Sequence, residues 1–231
     1  MHFERTQAIF DNRYDAGKQL AEQLGGYKGQ SVVVLAIPNG GVPIGLEIAL
    51  TLKADLDLVI SRKIPLPIAP EAGFGAIADD GTVILNEEVV KKFNLSPHQI
   101  NYQTNLVQIE IRKRSLLYRK DKPLMVVSGK TVIITDDGLA SGFTVIAAVE
   151  SVRRRQPKEI IVAVPVTSAA ALEKVEKVAD KVVTLAKGTL PKFYIADFYR
   201  HWHDLSDDEV IQCLEQWRLR RFKPDIEPPL K

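Results

Sequence analysis

Cysteine is nearly absent from this sequence. Cys213 is the only one, which excludes an intrachain disulfide and every CxxC zinc or redox motif, and a reducing, cytoplasmic setting is the expectation. Long apolar runs are missing as well. The longest, Val32–Ile37 and Ile160–Val166, fall far short of the roughly 20 residues that a membrane helix needs and read instead as buried strands. The first residues, MHFERTQAIFDNRYDAGK, mix both charge signs where an export signal needs an apolar stretch. Nor is there a charge excess: 31 Lys and Arg stand against 29 Asp and Glu, so no whole-protein field attracts nucleic acid, and neither nucleic acid nor membrane is an expected partner. The basic clusters at 153–155 and 218–223 fall near expected helix ends and read as solvated. There is no GxxxxGK[ST], and Gly73-Phe74-Gly75 lacks the third glycine of a dinucleotide fingerprint. His201-Trp202-His203 offers two alternate histidines with no third ligand nearby, so no zinc site is expected.

What is present is an ordinary globular composition, 45% hydrophobic and 26% charged over 231 residues, enough for a buried core. Asp11 or Asn12 can cap a first helix with Ala16, Leu20, Ala21 and Leu24 on one face, ended by Gly25-Gly26. A strand at Val32–Ile37, a helix to about Lys53 with Pro43 in its first turn, and a strand at Leu56–Ser61 follow. A Pro-rich loop is expected over 64–75, then a hairpin signalled by Asp80-Gly81. Ser96 and Gln99 form a capping box for a long helix to about Arg119, with Ile100, Leu106, Val107, Ile111 and Leu117 on its apolar side and a basic outer face. The pattern then alternates: strand Thr131–Thr135, helix Phe143–Arg155, strand Ile160–Val166, helix Ser168–Ala179, strand Lys181–Leu185, and a last helix from the Ser206/Glu209 capping box to about Phe222. Strands alternating with helices, several of them continuously apolar, predict an α/β doubly wound, mainly parallel sheet of about five strands with helices on both faces.

One segment carries chemistry. Thr131–Thr135 delivers Asp136 and Asp137 to a strand's carboxyl end, where open α/β sheets bind ligands. The small-residue loop Gly138-Leu139-Ala140-Ser141-Gly142 then enters a helix at Phe143-Thr144. Backbone N–H groups in such a loop converge on an anion, the helix terminus adds partial positive charge, and Ser141 and Thr144 add hydroxyl donors. The carboxylates suit vicinal sugar hydroxyls or a hard cation such as Mg2+. Together these features describe a sugar-phosphate site.

The run Val-Ile-Ile-Thr-Asp-Asp-Gly-Leu-Ala-Ser-Gly-Phe-Thr resembles the phosphoribosyl-diphosphate (PRPP) motif of type I phosphoribosyltransferases. The resemblance implies that Asp136 and Asp137 hold the ribose hydroxyls, directly or indirectly with Mg2+, and that Gly138, Ala140, Ser141, Gly142, Phe143 and Thr144 hold the 5′-phosphate. Phe143 departs from the smaller residue usual there; its ring can point away if the loop binds through amides. Pro38-Asn39-Gly40-Gly41-Val42-Pro43 looks like the family's pyrophosphate loop and Arg62-Lys63 like its Arg-Lys pair. Taken singly, Gly40-Gly41 is a helix-entry turn and Arg62-Lys63 a solvated strand end; their joint order is what lifts them.

The resemblance extends, with the hairpin and Asn86-Glu87-Glu88, from about Asp11 to Val210, and is closest to a branch known only as predicted phosphoribosyltransferases. It implies one domain over 1–231: a core at about 11–187, an insertion at about 64–125 whose first part is a mobile catalytic loop, a hood and C-terminal helix at about 188–223, and a tail at 224–231. Phe193, Tyr194, Phe198 and Tyr199 fall where that hood covers the acceptor base. The implied function is a transferase of phosphoribosyl from PRPP to a nitrogenous acceptor, with Mg2+, Asp136, Asp137, Lys63 and Glu71 in the chemistry, in a homodimer. The competing expectations are a PRPP-sensing regulator without turnover and a phosphoribosyl hydrolase or phosphorylase. Ala140 stands where the 6-oxopurine branch carries an aspartate, so hypoxanthine and guanine are expected to be poor acceptors.

Overall fold

The structure is a computed structural model and describes residues 8–120, 122–188 and 193–221. The expected tail at 224–231, the first seven residues and part of the expected hood lie outside the described residues.

Five parallel strands make the central sheet: β1 (Val32–Ala36), β2 (Asp55–Leu58), β6 (Thr131–Thr135), β7 (Glu159–Ser168) and β8 (Lys181–Gly188), in the order β2-β1-β6-β7-β8. β1 and β6 are buried at every position, which is why their sequences run continuously apolar instead of alternating. On one face of the sheet Leu20, Leu24, Val34, Ile44, Ile48 and Leu56 belong to one apolar core; on the other, Val33, Leu35, Val132, Ile134, Val145 and Val149 belong to a second. The helices supplying them are α1 (Arg13–Gln23), α2 (Gly41–Leu52) and α5 (Phe143–Arg153). The Asn12 side chain caps α1 through the Asp15 N–H.

The insertion after β2 differs from the expectation. The strand expected at Leu56–Ser61 divides in two. β2 makes its last main-sheet contact when the Val59 N–H donates to Ala36 O, and the chain then starts β3 (Ser61–Leu66) in a second sheet. Ser61 fixes that departure, its buried hydroxyl donating to Thr144 O at 2.8 Å. The expected Pro-rich loop is itself a hairpin of β3 with β4 (Ala69–Ala78), turned at Pro67-Ile68. Proline is tolerated because the register shifts on both sides of Pro65, so no regular ladder N–H is needed there. β5 (Val83–Leu85) completes this antiparallel sheet across the Asp80-Gly81 turn.

α3 (Glu87–Lys92) and α4 (Pro97–Arg119) follow, the latter with its capping box formed. On α4 the buried residues are Val107, Ile111 and Tyr118, whereas Leu106 and Leu117, expected inside, are exposed. The reason is that the helix rests its inner side on the small second sheet and leaves a flank open. α6 (Ala169–Val175) is shorter than expected, and α7 (Asp207–Arg221) opens with the Ser206/Glu209 box. The basic cluster at 153–155 is not merely solvated: Arg153 pairs with Asp180 at 2.7 Å, Arg154 with Asp80 at 3.8 Å, and Arg155 donates to Met125 O. In the other cluster, Arg221 pairs with Asp55, while 222–223 lie outside the described residues.

Candidate active site

Parallel pairing of β6 with β1 on one side and β7 on the other places the ends of three strands together. Asp136 and Asp137 leave β6 there, beside the 38–41 loop that leaves β1. The fit is close. A Cβ on Gly40 would lie 2.0 Å from Asp137 Oδ2, and one on Gly41 would lie 2.5 Å from Thr135 O, so the two glycines are required by contact with the acidic strand end. The Pro38–Asn39 peptide is cis.

A cavity of about 540 Å3 opens beside these loops. Asn39 from the first loop, Arg62 and Lys63 from β3, and Asp136 and Thr144 from either end of the acidic loop all line it. Residues from three expected motifs therefore share one space. Between Asp136 and Thr144, the loop is tied to β7: the Leu139 N–H donates to Val166 O, the Ser168 N–H to Leu139 O, and the Ser168 hydroxyl to Ala140 O. The N–H groups of Ala140, Ser141 and Gly142 donate to no acceptor among the described residues, and Gly142 has φ 82°, a left-handed entry to α5 that favours glycine. Free amides ahead of an eleven-residue helix are suited to an anion. Phe143 turns its ring away from the loop, packing against Ala76, Ala78 and Ala147, with the Lys174 ammonium 5.0 Å from the ring centre.

The two carboxylates are not equivalent. Arg13 Nε donates to Asp137 Oδ2 at 2.9 Å, its NH1 donates to His203 O at 2.9 Å, and its guanidinium lies 3.8 Å from the Trp202 ring centre. The Tyr199 hydroxyl donates to Asp137 O at 2.7 Å. Asp137 is thus committed to holding α1 and the C-terminal segment to the strand end. Burial raises its pKa, opposed by Arg13. Asp136 accepts the Asp137 N–H and lines the cavity with no ion-pair partner among the described residues; burial first and the Asp137 charge second raise its pKa well above the ordinary carboxylate range. Arg62 is pushed down, by burial first and then by Arg114.

Several expected residues play other parts. Asn39 keeps its side chain occupied: Oδ1 accepts from Arg114 at 2.6 Å and Tyr118 at 3.0 Å, while Nδ2 donates to Leu205 O at 2.7 Å. Glu71 is exposed near the hairpin tip and is not part of the cavity wall; its carbonyl, not its carboxylate, accepts from Lys63 Nζ. Phe198 and Tyr199 are buried with Phe10 in a small core and Phe193 lies 5.4 Å from Phe198, so these three pack the C-terminal segment; Tyr194 is exposed, and none of the four lines the cavity. Trp202 serves Arg13, and His203 bonds Glu209 at 2.8 Å. Among the described residues, no group of three or more His, Cys, Asp or Glu could hold a metal.

Sequence reasoning missed Arg13 and the α4 wall. Gln103, Leu106, Val107, Glu110 and Arg114 line the cavity opposite Asp136. Arg13 did carry a signal, since it falls on the same helical face as Ala16, Leu20 and Leu24, a charge in line with an apolar stripe.

A five-stranded parallel sheet flanked by helices, with an acidic strand end and an amide loop at its carboxyl edge, defines a type I phosphoribosyltransferase fold. A family model for the phosphoribosyl transferase domain matches residues 79–196, just over half of the chain, and the chain belongs to that family. A protein of Mycobacterium tuberculosis with the provisional name phosphoribosyl transferase, recorded in two strains, is 36% identical over 208 residues, which is 90% of this chain and 47% of the relative. The chain therefore spans about half the length of the curated relatives it matches. The crystal structure of the protein TT1426 from Thermus thermophilus is 31% identical, covers 90% of this chain and 98% of its own, and superposes with a TM-score of 0.73.

Proposed function

We propose that the chain is a PRPP-dependent phosphoribosyltransferase that joins the ribose C1 of PRPP to a nitrogenous acceptor and releases pyrophosphate. The observation that carries this reading is the single cavity in which Asp136, Thr144, Asn39, Arg62 and Lys63 meet. In the reaction a C1–N bond forms as the C1–O bond breaks, with the electron pair leaving on the diphosphate. Arg62 and Lys63 are placed to neutralise that charge, and fixed cations are most effective where water is excluded. The amides of 140–142 and the first turn of α5 hold the 5′-phosphate. Asp136 receives the ribose hydroxyls, and Asp137, locked by Arg13, fixes the strand end.

Of the two carboxylates that line the cavity, Glu110 faces Arg62 at 3.5 Å and Asp136 is left for Mg2+, which characteristically binds through one or two carboxylates plus substrate phosphates. Bound with PRPP, Mg2+ supplies further neutralisation of the diphosphate. No role as base is proposed for Glu71, and none in acceptor stacking for Phe198 or Tyr199. We also propose a homodimer, supported by the exposed apolar row Tyr102, Leu106, Ile109 and Leu116 on α4, and a cytoplasmic setting, supported by the single buried thiol. Among the described residues no helix is long and apolar enough to cross a membrane.

The test is pyrophosphate release from PRPP with Mg2+, with and without a panel of bases and small amines. Acceptor-dependent release is expected. Release without any acceptor would replace transfer by hydrolysis, binding without release would make the protein a sensor, and failure to bind PRPP would overturn the reading.

A further inference from the structure

A second cavity, of about 410 Å3, opens between another face of α4, the end of α5, the Asp79-Asp80 turn and the 122–124 segment. Its wall is rich in cations: Arg112 and Arg119 from α4, Lys122 after it, and Arg155 beyond α5. Two carboxylates also line it, and both are taken. Asp79 receives Arg119 at 3.0 Å, while Asp80 faces Arg154 at 3.8 Å and accepts the Thr82 hydroxyl at 2.9 Å. Arg119 also lies 3.9 Å from Asp57 and donates to Leu58 O, and Arg155 donates to Met125 O. The charges of Arg112 and Lys122 have no side-chain partner among the described residues.

A second observation points the same way. Ser151, on α5, is only 3% exposed, lines this cavity, and makes no side-chain hydrogen bond among the described residues. The side chain is packed in on all other sides, so its hydroxyl is accessible from the cavity and free to take a partner there. Ile111, Pro123 and Leu124 supply an apolar strip beside the cations. Cations, a hydroxyl donor and an apolar strip in a space of this size match an organic phosphate: the charged end meets Arg112 and Lys122, and the flat organic end meets Leu124 and Pro123.

We infer that this cavity is a second binding site, separate from the PRPP cavity, for a small organic phosphate of nucleotide size. The inference does not depend on the transferase reading, since none of these residues lines the first cavity.

The probe is ADP without divalent cation, titrated calorimetrically into the full chain. Three proteins are compared with the parent: Arg112→Gln with Lys122→Gln, both exposed and so without expected cost to folding; Ser151→Ala, which leaves net charge unchanged; and Arg62→Gln with Lys63→Gln in the first cavity. Removing two charge-assisted contacts should weaken ADP at least about tenfold, and the serine variant should weaken it by about two- to fivefold. Binding should survive in Arg62→Gln/Lys63→Gln. The inference is overturned if the parent does not bind ADP, if binding vanishes with Arg62 and Lys63, if Arg112→Gln/Lys122→Gln leaves it unchanged, or if Ser151→Ala has no effect, which would reduce the site to diffuse surface charge.

Discussion

Replacing Arg13 with methionine keeps most of the aliphatic volume of a side chain that is only 6% exposed and removes its charge. Asp137 then loses its 2.9 Å partner and stays next to Asp136, so two adjacent buried carboxyls have no cation. Breaking a buried pair from one side costs about 3–5 kcal/mol, because an uncompensated charge is left behind. In a domain of this size each kcal/mol lowers the Tm by about 2–4 °C, so a loss of about 6–20 °C is expected. Asp137→Asn in the same chain removes the orphaned charge and should restore at least half of it.

The pH dependence has a definite sign. Burial raises the folded pKa of Asp137 and Arg13 opposes that rise, so in Arg13→Met the folded value climbs further. A raised carboxyl pKa means that the folded state holds its proton more tightly than the unfolded state does. The resulting penalty is absent below the unfolded value of about 3.9, grows as pH rises towards the folded value, and is constant above it. Denaturant titrations should therefore find Arg13→Met closest to the parent near pH 4 and progressively weaker towards neutrality. A gap independent of pH, or an Arg13→Met/Asp137→Asn protein no more stable than Arg13→Met, would refute the assignment of this pair.

Asp136→Asn is expected to raise the Tm at pH 7 by a few degrees, since burial and Asp137 both disfavour its charge, while abolishing PRPP binding by calorimetry; a less stable variant would contradict the first half and unchanged affinity the second. Gly40→Ala should cost about 1–3 kcal/mol in denaturant titration, because its Cβ falls 2.0 Å from Asp137 Oδ2, and tolerance at wild-type stability would show that the loop has room to retreat. Limited proteolysis should cut the exposed 67–71 tip of the β3/β4 hairpin, with protection by Mg2+ and PRPP together; equal cleavage with and without them would mean that it does not close. Hypoxanthine and guanine should turn over poorly beside adenine, orotate, uracil and amines in parallel assays, because Ala140 offers no proton acceptor; efficient turnover would require a base elsewhere in the cavity.

The acidic loop was legible because its function and its fold use the same signals. An apolar strand must end before charge can appear, and a glycine with positive φ must precede α5, so Thr131–Thr135, Asp136 and Gly142 announce one another in the sequence. The hairpin at 61–78 was not legible. Three prolines within Pro65–Pro70 read locally as a loop, and only the second sheet, with Ile64, Leu66 and Phe74 buried in the main core, makes the paired arrangement favourable. Burial by partners distant in the chain overrides local propensity there.

The same distance explains why the paired acids looked interchangeable. The two residues follow the end of β6 and meet different neighbours. Asp137 meets Arg13, separated from it by 124 residues, while Asp136 meets the wall built by α4. Removing both charges together would thus leave Arg13 buried and unpaired, so loss of PRPP binding in such a double variant could not be separated from damage to the scaffold. Asp136→Asn alone is the clean probe of ligand binding, and Arg13→Met with Asp137→Asn is the clean probe of the scaffold. The two carboxylates share a motif but answer to different parts of the molecule.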